Sequence, residues 1–163
     1  MGIGYMKGNE NVYFRARKDA ATRDERVFSR EGAADLLGVS VSTLADYELG
    51  NTKVVPVDKV VLMADLYDCP ELKSLYCKQE CPIGRQMPIA TEVGSLEGIV
   101  LRFLKEFDRE RLEAIRTGLI KIGSDGRINP GEELELQNIL QMVDDLALII
   151  SELRLFGEKR EKG

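Results

Sequence analysis

Two short helices joined by a very tight turn are written into residues 29–50, Ser-Arg-Glu-Gly-Ala-Ala-Asp-Leu-Leu-Gly-Val-Ser-Val-Ser-Thr-Leu-Ala-Asp-Tyr-Glu-Leu-Gly. Ser29 and Ser40 are of the type that caps a helix N-terminus, where a hydroxyl accepts an orphan N–H of the first turn. Gly38 and Gly50 are of the type that ends a helix, because glycine enters the left-handed region with no Cβ penalty. Only Gly38-Val39 separates the first helix, ending at Leu37, from the cap of the second, which runs about Val41–Leu49. So short a connection forces a steep crossing, and a steep crossing needs a small residue where the helices meet. Ala34 supplies it, and Leu37, Val39 and Leu44 supply the apolar lock. Ser40, Ser42 and Thr43 then stand at the N-terminal end of the second helix as short polar side chains.

The residues around this pair extend the helical reading. A first helix over about Val12–Thr22 follows a Gly-rich start that reads as frayed. Beyond Gly50-Asn51, helices follow Pro56, over about Val57–Tyr67, and start with Pro70 at the first helical position, ending near Cys77. Two prolines and two glycines in residues 82–94 read as a linker. A helix over about Ser95–Ile122 carries Leu96, Val100, Phe103, Leu104, Phe107, Leu112, Ile115, Leu119 and Ile122 as its apolar row. The last helix opens with Asn129, Pro130 and Glu132 in a capping-box arrangement and runs to about Phe156. Its Leu136, Ile139, Val143, Leu146, Ile150 and Leu153 form a heptad seam. The expected divisions are a domain over residues 1–81, a linker at 82–94, a helical hairpin at 95–157 and a charged tail at 158–163.

Composition removes several classes of function. The 163 residues contain no histidine, which excludes His-based catalytic dyads, triads and metal ligands. No other catalytic arrangement and no phosphate-cradling glycine loop is present, so no enzymatic activity and no cofactor are expected. The three cysteines, Cys69, Cys77 and Cys81, are too few for a disulfide framework and fit a reduced, cytoplasmic setting. They could ligate zinc only with a borrowed oxygen such as Glu80, and free thiols are the simpler expectation. Asp125-Gly126-Arg127-Ile128 with Glu132 imitates half a calcium loop. Lys121 and Gly123 stand where its first carboxylates belong, so the segment reads as a hairpin connection. The apolar run Leu146–Ile150 falls far short of the roughly 20 residues that a bilayer requires, so no membrane partner is expected.

Net charge is −5, a weak argument against nucleic acid, but the charge is unevenly spread. Residues 1–30 hold seven basic side chains against four acidic ones, and residues 86–163 hold 11 against 15. Arg15, Arg17, Lys18 and Arg30 make the basic N-terminal end the natural neighbour of phosphate.

The pattern Ala34…Gly38-Val39-Ser40…Ser42-Thr43-Leu44…Tyr47-Glu48…Gly50 resembles the lambda-repressor-like family, also called the Cro or XRE family, over roughly residues 11–77. The resemblance implies five helices, the second and third forming a DNA-reading helix-turn-helix. It places Ser40, Val41, Ser42 and Thr43 against base edges, with Asp46 one turn on. It places Arg30 at the start of helix two and Asn51 and Lys53 in a loop that touches phosphate. Arg30 replaces the commoner Gln, and Val41 is apolar where a polar reader is usual. Asp46 and Glu48 put acid on or beside the recognition helix, where it repels phosphate.

The expected protein is therefore all-α: a five-helix lambda-repressor-like DNA-binding domain followed by a long antiparallel helical hairpin. Its expected function is sequence-specific binding of double-stranded DNA, as a transcriptional regulator. The alternative is an interaction or scaffold protein that keeps the fold without DNA. The hairpin's apolar rows are wider than one seam, with Leu140, Leu148 and Ile149 beside the heptad positions and Ile99 and Ile120 on the preceding helix. Pairing with a second hairpin as a four-helix bundle would bury them, giving a homodimer.

Overall fold

In the computed structural model, residues 11–124 and 126–161 are described. The start expected to fray, Asp125 of the calcium-like loop and the end of the expected tail at 162–163 lie outside them. Among the described residues the regular elements are all helical. Residues up to Met87, with Glu158 onward, form one unit, and Pro88–Gly157 form a second.

The first unit is built from five short helices, each with an explicit start or stop. They are α1 (Val12–Ala20), α2 (Arg30–Leu37), α3 (Val41–Leu49), α4 (Val57–Leu66) and α5 (Glu71–Gln79). Asn11 caps α1 by accepting the Tyr13 and Phe14 N–H groups, and its Nδ2 donates to the Tyr47 carbonyl at 3.0 Å, joining α1 to α3. A 3-10 turn at Glu25–Val27, absent from the sequence expectation, inserts Val27 into the core. The core gathers Tyr13, Ala33, Ala34, Leu37, Leu44, Val55, Val60, Met63, Tyr67 and Leu72. Fully burying each larger aliphatic among them contributes about 1.5–3 kcal/mol against the chain entropy of so small a unit. Glu80 locks the periphery: one oxygen accepts the Tyr13 hydroxyl at 2.5 Å, the other the Val55 N–H at 2.7 Å. That carboxylate is therefore committed and is not spare for a metal.

The expected linker at 82–94 contains the division between the two units, after Met87. Gly84–Gln86 form a 3-10 turn, and Lys78 Nζ donates to the carbonyls of Arg85 and Met87. In the second unit, the Ala90 N–H donates to Ser151 Oγ at 3.0 Å and the Gly94 N–H to Glu152 Oε1 at 2.9 Å. Backbone polar groups that would otherwise need water are thus satisfied by side chains far along the chain.

The expected first arm of the hairpin is two helices, α6 (Leu96–Glu106) and α7 (Arg109–Gly123), followed by the long α8 (Glu133–Glu161). Asp108 makes the break: its carboxylate accepts the Glu110 and Arg111 N–H groups as an N-cap. Phe103 and Phe107 stack at 4.1 Å just before it. The apolar spacing continues across the break, which is why it reads as one helix in sequence. α8 runs antiparallel to both: Arg102 pairs with Glu152, whereas Lys121 pairs with Glu135. Gly118 lets α7 and α8 approach closely, since a Cβ there would stand 2.6 Å from Ile139 Cδ1. Glu132 accepts the Asn129 N–H at 2.9 Å, but α8 starts at Glu133 and not at Pro130, so this pair closes a turn ahead of the helix and is not the expected capping box. Residues 158–161 continue α8 rather than leaving it as a tail.

The buried row of this unit is not the expected one. Ile99, Ile122, Ile139, Ile149 and Leu155 are buried, while Leu96, Val100, Leu104, Leu112 and Leu119 are exposed. Of the expected seam on α8, only Ile139 is buried; Leu136 and Leu146 are half-buried, and Val143, Ile150 and Leu153 are exposed.

Candidate nucleic-acid interface

The α2–turn–α3 segment closes as its residues dictate. Ser29 Oγ accepts the Gly32 N–H, and Gly38 turns the chain at φ 61°, where a β-carbon would be strained. The Val39 N–H bonds back to the Ala34 carbonyl at 3.0 Å, so the turn is held from inside as well as by packing. Ala33, Ala34, Leu37 and Leu44 are all buried at the crossing. Lys59 Nζ donates to the Leu37 carbonyl at 3.0 Å and satisfies the open C-terminal end of α2.

The start of α3 carries a hydroxyl cluster. Ser40 Oγ accepts the Thr43 N–H at 3.0 Å and lies 2.9 Å from Ser42 Oγ and 2.7 Å from Thr43 Oγ1. Ser40, Val41 and Ser42 are exposed and Thr43 is half-buried. Asp46 is exposed one turn on, but its Oδ1 accepts Asn51 Nδ2 at 3.0 Å, and the Asn51 N–H donates to the Asp46 carbonyl. Asp46 and Asn51 therefore present themselves as one pair, not as two independent contacts.

Glu48 behaves opposite to the sequence expectation. It is 0% exposed and cannot repel phosphate at the surface. Arg17, 2% exposed, grips both its oxygens, Nε to Oε1 at 2.5 Å and Nη2 to Oε2 at 2.9 Å. Arg30 Nε adds a third bond at 2.7 Å. Arg17 Nη1 also donates to the carbonyls of Val27 and Phe28. The Glu48 hydrogen bond, against a burial that would act the other way, holds the Arg17 guanidinium more firmly protonated. This corrects the assignment of Arg17 to phosphate: its donors are spent inside the protein, tying α1, the 3-10 turn and α3 together.

The remaining basic residues separate. Arg15 lies two positions from Arg17, about 200° around α1. It lines a cavity of about 310 Å³ with Asp19, Arg23 and the α5 residues Glu71, Leu72 and Leu75. It thus belongs to the α1–α5 side. Lys18 and Arg30 gather near the start of α2, with Lys18 Nζ 4.9 Å from the centre of the exposed Phe28 ring. Lys53 is exposed in the loop after α3. Phe28 and the Glu48 ion hub were not singled out in the sequence. The signal available for the hub was an acid one position after Tyr47, on a helix with no basic residue of its own to pair with it.

The cysteines do not assemble. Among the described residues no group of three Cys, Asp or Glu side chains is placed to hold a metal ion. Burial, then the neighbouring Glu71, pushes the Cys69 thiol up to about 11 from an ordinary 9.0. At pH 8 it should carry about a hundredth of the thiolate of a free cysteine and alkylate correspondingly slowly. Peptide mapping after timed iodoacetamide treatment checks this; labelling of Cys69 at the free-thiol rate would contradict it.

Residues 15–73 match a family described as a helix-turn-helix domain. No curated protein and no solved structure matches the chain. Among the described residues no helix is long and apolar enough to cross a membrane.

Proposed function

From this helix-turn-helix domain of the Cro/XRE kind, we propose a sequence-specific DNA-binding transcriptional regulator that works as a homodimer in the cytoplasm. The observation that carries the reading is the α2–α3 crossing, locked by Ala34, Gly38 and Leu44, with the exposed Ser40–Ser42–Thr43 cluster at the leading end of α3. An α-helix presented in this way fits the major groove, and short hydroxyl side chains read base edges at close approach. Val41 offers a methyl-sized contact to thymine. Lys18, Arg30 and Lys53 supply cations for phosphate; Arg15 and Arg17 do not.

Selection of fragments from random double-stranded DNA tests this reading. Ser42→Ala with Thr43→Ala should cut discrimination between selected and scrambled sites by about 1–3 kcal/mol per lost contact. Lys53→Ala should weaken binding to all sequences and lower the salt slope by about one. Unchanged discrimination in the first variant would remove Ser42 and Thr43 from the site.

A second reading has its own observation. α3 carries no basic residue, and Val41 and Leu49 are exposed on it. A protein-interaction role for the same face follows if no DNA is selected at low salt while the domain is folded.

A further inference from the structure

Among the described residues of the second unit, α8 carries an exposed apolar row. Leu140, Val143 and Ile150 are 52%, 42% and 38% exposed, and Leu136 and Ala147 are half-buried. Positions 136, 140, 143, 147 and 150 step by four, three, four and three residues, the spacing of a coiled-coil seam. The row shares 136, 143 and 150 with the seam read from the sequence but replaces 139 and 146 by 140 and 147. Ile139 is unavailable because it packs on Gly118 within the chain. Extending the same spacing one step each way reaches Glu133 and Arg154, both exposed.

We infer that this row docks on the same row of a second copy, antiparallel, about a two-fold axis passing close to Val143. Charge decides both the occupant and the direction. The row is apolar in the middle, acidic at one end and basic at the other. Antiparallel self-pairing brings Glu133 to Arg154 of the other copy, twice by symmetry. Parallel pairing would set Glu133 against Glu133 and Arg154 against Arg154, which opposes association. The middle is equally suited to its own copy, since Leu136 and Leu140 of one row then face the Ile150 and Ala147 region of the other. This inference rests on the homodimer of the proposed function and specifies its interface.

The test uses the full chain without DNA, so it stands or falls separately from DNA binding. Light scattering at micromolar concentration should give twice 18.3 kDa. Ile150→Asp should return the mass to a single chain with helicity retained. Glu133→Arg alone should weaken self-association about tenfold, since two exposed ion pairs become two repulsions. Adding Arg154→Glu should restore it. A short bismaleimide should join copies carrying Val143→Cys above the level of the wild-type chain. It should not join copies carrying only Leu136→Cys, which would lie more than about 20 Å apart along the axis. A single-chain mass for the wild type, no rescue by the double charge reversal, or self-crosslinking through Leu136→Cys would overturn the proposal.

Discussion

Glu48→Gln is expected to destabilise the first unit by about 3–5 kcal/mol, the cost of stranding a buried charge after its partner is neutralised. The amide keeps the shape of the carboxylate but removes its charge. Arg17, 2% exposed, is left with only the carbonyls of Val27 and Phe28 and one amide oxygen. Arg30 loses the same partner and moves to solvent. Against a typical total of about 5–15 kcal/mol, this brings the unit close to unfolding. Replacing both partners by apolar residues, Arg17→Met with Glu48→Leu, should recover most of the loss, because no buried charge remains. Recovery stays incomplete, since the Val27 carbonyl loses its Arg17 donor and the Phe28 carbonyl keeps only the long contact from Lys18. All five tyrosines lie in residues 1–76, so tyrosine fluorescence in urea reports on this unit. A single variant as stable as the wild type would show that the ion hub is dispensable.

Leu44→Ala should cost about 2–5 kcal/mol, the range for emptying a buried leucine site that collapses incompletely. Leu44 is fully buried among Ala33, Ala34 and Leu37, where α3 crosses α2. The small residues that permit the close crossing also leave nothing large enough to refill the space. Loss of this pin releases α3 from its fixed angle, so DNA affinity should fall together with the urea midpoint. The slope of the urea transition should hold, since the surface exposed on unfolding changes little. A loss below about 1 kcal/mol would mean that the crossing is held elsewhere.

The arrangement of the first unit was legible because its signals are local. Ser29, Gly38, Ser40 and Gly50 act on backbone groups within five residues of themselves, and each cap or stop forms where its residue type requires. The break at Asp108 was equally local but was masked by an apolar row that runs across it. In residues 82–94, where the division between the two units falls, the sequence left the hydrogen bonds unread for the opposite reason. The prolines and glycines there describe the segment's own preferences, whereas Ser151 and Glu152, about 60 residues on, accept its N–H groups.

The candidate interface divides in the same way. The exposure of Ser40, Val41, Ser42 and Asp46 followed from their places on α3. The fates of Arg15, Arg17 and Lys18 did not follow from their being basic, because neighbours on one helix point to different surroundings. Arg17 meets Glu48, Arg15 meets α5, and Lys18 meets Phe28.

By itself, then, the sequence determined the helices, their caps and the tight α2–α3 crossing, since these depend on hydrogen bonds and backbone freedom within a turn or two. Only the tertiary structure decided which charges are spent inside and which apolar row of α8 is left over. Those outcomes depend on pairs of residues distant along the chain, Arg17 with Glu48 and Gly118 with Ile139. A rotation of one residue about a helix axis, 100°, exchanges a buried side chain for an exposed one while leaving the apolar pattern almost unchanged.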